Sequence, residues 1–82
     1  MEHKPLSLLD HAAAFMNCQY LSDLRYLSPY QRCVLAAHLE RIDAEQHSPF
    51  EWNDALEYLS GRDAEDTASM AKEKLLQALR RI

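Results

Sequence analysis

Five side chains between residues 11 and 47 could bind a metal or act as base or nucleophile near neutral pH: His11, Cys18, Cys33, His38 and His47. A structural zinc site needs four such groups converging as a tetrahedron, and CxxC, HxxxH or HExxH spacings are its usual sign. None of these spacings occurs. His11 and Cys18 are seven residues apart, two turns along one helix flank, while Cys33 and His38 are five apart and point in different directions. The expectation is two reduced, unbridged thiols, no metal and no cofactor.

His38 stands out because it falls inside an apolar helix sector. An imidazole there is either a pH sensor or base, or a core-edge group with one nitrogen hydrogen-bonded. The sequence favours the second. Nucleophilic catalysis needs Ser or Cys beside a base, and the serines here sit where helices begin. Phosphate cradles need glycine-rich loops, and the chain has one glycine. No enzymatic activity is expected.

The elements that would position these groups are helices. The 82 residues include one glycine, three prolines and only four β-branched residues, Val34, Ile42, Thr67 and Ile82. Such a composition favours helix over strand. Ser28-Pro29-Tyr30 and Ser48-Pro49-Phe50 repeat one helix-start signal, a serine cap followed by proline at the first helical position. Ser48 with Glu51 reads as a full capping box, and Ser7 with Asp10 as a weaker one.

The fold expected is all-α, a single domain over 1–82 built as a bundle of about four helices at 8–21, 29–43, 49–60 and 64–81. A short extra turn starting at Ser22 is read in the YLSDLRYL stretch. Leu8, Leu9, Ala12, Phe15, Met16 and Tyr20 share one side of the first helix. In the second, Tyr30, Val34, Leu35, Ala37, His38, Leu39 and Ile42 span about half the circumference, which predicts the central helix. Trp52, Ala55, Leu56 and Leu59 form the buried face of the third, with Trp52 set against the second helix. Gly61 suits the left-handed residue that ends it. The last helix, capped by Asp63, buries Ala64, Ala68, Ala71, Leu75, Ala78, Leu79 and Ile82.

Charge is uneven. The net charge is −4, yet nine acids stand against Arg41 and Arg62 between Glu40 and Asp66. The tail carries Lys72, Lys74, Arg80 and Arg81 against Glu73. Net acidity disfavours nucleic acid and anionic membranes as partners. No apolar run approaches the roughly 20 residues of a membrane span. The first residues lack the charged-then-apolar pattern of a secretion signal, so a cytoplasmic location is expected.

The strongest surface signal is the outer side of the third helix: Phe50, Glu51, Asp54, Glu57 and Tyr58. Aromatics supply anchors and acids supply steering toward a basic protein surface. Met70 and Leu76 fall off the buried face of the last helix and suggest a second contact or a homodimer seam. The function expected is therefore a small acidic module that binds and modulates a protein partner, as inhibitors, anti-activators, immunity proteins, chaperones and anti-defence proteins of this size do. The alternative is a dimeric nucleic-acid-binding regulator using Lys72, Lys74, Arg80 and Arg81.

Overall fold

Ser7 accepts a hydrogen bond from the Asp10 N–H and starts α1, Leu8–Phe15. The helix stops six residues short of the expected end. Asn17 takes the left-handed conformation at φ 57°, and the Cys18 N–H returns to the Ala13 carbonyl at 2.9 Å. A short polar side chain tolerates that conformation, so asparagine ends the helix where glycine is scarce. A 3-10 turn follows at Leu21–Tyr26. Phe15 and Tyr20, expected in the core, are exposed as a result.

The remaining elements of this computed structural model, which describes residues 7–81, are α2 (Pro29–Glu40), a second 3-10 turn (Ala44–Gln46), α3 (Pro49–Ser60) and α4 (Ala68–Arg80). Among the described residues the fold is all-α, with no strand. Both Ser-Pro-aromatic triplets start helices as expected. The complete capping box is the one at Ser28, where Gln31 Oε1 accepts from the Ser28 N–H at 2.9 Å. At Ser48 only half forms, because the Glu51 carboxylate is used elsewhere. Gly61 ends α3 at φ 72°.

Two further boundaries differ from expectation. α2 ends at Glu40, not at 43, and α4 begins at Ala68, not at 64. The Asn53 side chain explains the second. It donates to the Glu65 carbonyl at 2.9 Å and accepts from the Glu65 N–H at 2.7 Å. Those bonds hold residue 65 in an irregular stretch outside the helix, so Asp63 does not cap it. The helix waits for Thr67, whose hydroxyl accepts from the Met70 N–H. Ala64 is thus an exposed loop residue, and Ile82 lies outside the described residues.

The central helix is α4, not α2. It packs extensively against both α3 and α2, which scarcely touch each other. Ala71, Leu75, Leu76 and Leu79 of α4 join Leu35, Ala36 and Leu39 of α2, Trp52, Ala55 and Leu56 of α3, and Leu8, Leu9 and Ala12 of α1 in one core. The small Ala71 allows close helix approach on both sides. α2 and α4 run antiparallel, and each sends a cation to the other's C-terminal end. Arg32 donates to the Ala78 carbonyl at 2.6 Å, and Lys72 donates to the Glu40 and Ile42 carbonyls. Carbonyls of each helix's last turn thereby gain a side-chain donor, and the positive charge suits that end of the helix dipole.

Trp52 is fully buried at 0 % exposure, as expected. Its indole N–H donates to the Ala44 carbonyl at 2.8 Å, and the Lys72 ammonium lies 5.9 Å from its ring. Its neighbours are thus the second 3-10 turn and α4, not α2 as expected, because α3 scarcely meets α2.

Candidate functional site

The expected α3 surface divides in two. Phe50, Asp54 and Glu57 recur at i, i+4 and i+7, and all three are exposed on one stripe, Phe50 at 67 %. No ion pair engages Asp54 or Glu57 among the described residues. Glu51 and Tyr58 are not free in the same way. Glu51 Oε1 accepts from the Leu8 N–H at 3.0 Å and lies 3.3 Å from His47 Nδ1. It places a negative charge on the N-terminus of α1, where dipole and unpaired N–H groups favour it. Tyr58 is half-buried, with the Arg25 guanidinium 5.4 Å from its ring centre. Glu51 joins α3 to α1, and Tyr58 is covered from the 3-10 turn after it.

Met70 is exposed at 45 %, but Leu76 is buried at 9 % and belongs to the core. So little of Leu76 reaches the surface that it offers hardly any area for the second contact or dimer seam expected there. Lys72, one of the four cations offered for nucleic acid, caps α2, and Arg80 pairs with Glu40. The Arg80 guanidinium holds the Glu40 carboxyl below its ordinary range, first by hydrogen bonding and then by charge. An open groove of about 1020 Å³ between residues 40–44 and α4 is lined by both signs of charge, Glu40, Asp43, Lys72 and Arg81 among them. That mixture selects no ligand charge.

A second surface was hidden in the sequence. Tyr30, Cys33, Val34 and Ala37 form the outward side of α2 (the side opposite Leu35 and Leu39), with Tyr30 at 78 % exposure and Ala37 exposed. Apolar periodicity placed Tyr30, Val34 and Ala37 in a core, because a wide sector looks the same whether two neighbours cover it or one. Tyr30 and Phe50 hold the same place in the two triplets, and both project into solvent.

The titratable groups gather elsewhere. His11 of α1 and His38 of α2 meet Nε2 to Nε2 at 2.8 Å. Their ring centres are 5.0 Å apart and their planes 17° apart, the arrangement of two nearly coplanar imidazoles meeting head-on. Phe15 stacks on His38 with ring centres 3.7 Å apart. A pocket of about 350 Å³ opens beside the pair, lined also by Arg41, Ile42, Gln46 and His47. Burial, then the charges of His11 and Arg41, push the His38 pKa below its ordinary value. A metal between the two nitrogens would need about 4 Å, twice a zinc–nitrogen bond of about 2.0–2.1 Å. Among the described residues no three His, Cys, Asp or Glu side chains converge to hold an ion.

Known proteins add nothing to this geometry. No protein-family model matches the chain, and no curated protein or solved structure is significantly similar to it.

Cys18 and Cys33 are unbridged, as expected. Burial, and secondarily Asp23, push the Cys18 thiol up, which disfavours the nucleophilic thiolate. No helix among the described residues is long and apolar enough to cross a membrane.

Proposed function

We propose that the chain is a protein-binding module that docks a basic surface of its partner through the outer stripe of α3 and modulates that partner by covering it, as a small inhibitor or chaperone does. The observation that carries this reading is the stripe itself: an exposed Phe50 beside two exposed acids that no cation among the described residues neutralises. An aromatic anchor supplies contact area, and unpaired acids raise the encounter rate with a basic target. The stripe is held rigidly, because Ser48 caps α3, and Glu51, Trp52 and Asn53 tie its first turns to three other parts of the fold. A cytoplasmic setting accords with two unbridged thiols. The nucleic-acid alternative is weakened by the engagement of Lys72 and Arg80 within the fold.

Exchanging both acids, Asp54→Lys with Glu57→Lys, tests the reading. Both positions are exposed, so the helical circular-dichroism signal and thermal midpoint should stay within experimental scatter. Capture of the partner from lysate of the source cells, identified by mass spectrometry, should weaken at least tenfold, about 1.4 kcal/mol. Capture of that partner should also fall steeply with salt. Unchanged capture by the double variant, with loss on Tyr30→Ala, would move the interface to the outward side of α2.

A further inference from the structure

The structure points to a proton-operated latch. We propose that the His11–His38 pair clasps the C-terminal half of α1 to α2 while it carries at most one exchangeable charge, and releases that half when both imidazoles are protonated. The head-on geometry is the ground for this. At 2.8 Å the two Nε2 atoms can share one hydrogen bond, with one nitrogen donating and the other accepting. A neutral pair does this with complementary tautomers. A singly protonated pair does it with a charge-assisted bond, which is stronger. Two imidazolium rings present N–H to N–H and both become donors, so the bond is lost and like charges face each other.

The surroundings offer no relief to the second charge. Arg41, just past the end of α2, lines the same pocket, with Gln46 of the following turn and His47 after it. No carboxylate lines it. Glu51 on α3 is engaged with His47 Nδ1 and the Leu8 N–H. Asp10, beside His11 on α1, is turned to the Ser7 hydroxyl at 2.9 Å. The latch is also local. Glu51 anchors the start of α1 by accepting from the Leu8 N–H. The far half of α1 is held to α2 by the histidine pair and by Phe15 on the His38 ring. Acid therefore loosens the far end of α1 while the Glu51 bond still holds its start.

The direction of pH dependence follows. The folded His38 pKa lies below the ordinary value near 6.5, so the unfolded or unlatched chain binds protons more tightly. The latch survives the first proton, so the stability it contributes is lost only as the second goes on, when pH falls from the ordinary value near 6.5 through the lowered folded His38 pKa.

Amide hydrogen exchange and ring-nitrogen NMR on the intact chain, from pH 8 to 4.5, test this. The two histidines should titrate in two separated steps. The Met16 and Cys18 amides, bonded to the Ala12 and Ala13 carbonyls, should lose protection at least tenfold between pH 7.5 and 5, after correction for intrinsic exchange. The Leu75 and Leu79 amides of α4 should keep theirs. His38→Gln, which offers a hydrogen-bonding group that does not titrate, should remove the pH dependence at Met16 and Cys18. If that variant does not fold, the wild-type titration and exchange data decide alone. A single shared titration step, or loss of protection in α1 and α4 together, would overturn the latch.

Discussion

Replacing Trp52 with alanine is expected to lower the unfolding free energy by about 3–5 kcal/mol. That is a large part of the on the order of 4–12 kcal/mol available to a domain of this length. The magnitude has three sources. Trp52 is the largest fully buried side chain, so its removal leaves the largest cavity that truncating a core residue could make here. Its N–H is the donor for the Ala44 carbonyl. Its ring also lies near the Lys72 ammonium that caps α2, so the loss reaches the α2–α4 contact. Trp52→Phe retains most of the packing and should cost less, about 1–3 kcal/mol for a carbonyl left unpaired. Urea titrations followed by far-UV circular dichroism give both values. A midpoint for Trp52→Ala indistinguishable from wild type would show that the ring is not buried as described. Blue-shifted tryptophan emission from the folded chain is the accompanying expectation.

The second large effect is expected at Asn53, a residue no sequence rule singles out. Asn53→Ala leaves the Glu65 N–H and C=O without their partners in a part-buried position. The cost should be about 1–3 kcal/mol, the usual penalty for stranded polar groups. The change should be felt first in the 62–67 stretch and in the opening turn of α4. Asn53→Asp keeps the acceptor for the Glu65 N–H but offers no donor to its carbonyl, and it adds charge beside Asp63, Glu65 and Asp66. It should therefore recover little. Hydrogen exchange at the Glu65 amide is the direct check. Equal protection in wild type and Asn53→Ala would show that the loop is held by something else.

Local signals determined the helical character of this chain and most helix starts. Ser7, Ser28 and Ser48 begin helices because a serine hydroxyl can satisfy an early N–H from within four residues of sequence, and Pro29 and Pro49 need no partner there. Gly61 ends α3 for a reason equally local, the absence of a Cβ at positive φ. The buried stripe of α3 was also legible, since period-3.6 spacing fixes which residues share a face. Of the expected binding residues, Phe50, Asp54 and Glu57 fall on one exposed stripe for that same reason.

Tertiary structure decided everything that depends on a residue far along the chain. Thr67 rather than Asp63 caps α4 because Asn53, on another helix, holds Glu65 outside it. Glu51 leaves its own capping box because the N-terminus of α1 arrives beside it. α4 rather than α2 became the central helix because coverage depends on how many neighbours a face meets. An amphipathic pattern records apolarity and says nothing of that number. Tyr30 and Ala37 were thus read as core and are exposed, while Leu76 was read as surface and is buried. His11 and His38 stand 27 residues apart, on helices whose crossing no local rule gives. Sequence could nominate each imidazole, but only the packing of α1 across α2 could bring their nitrogens to one shared proton.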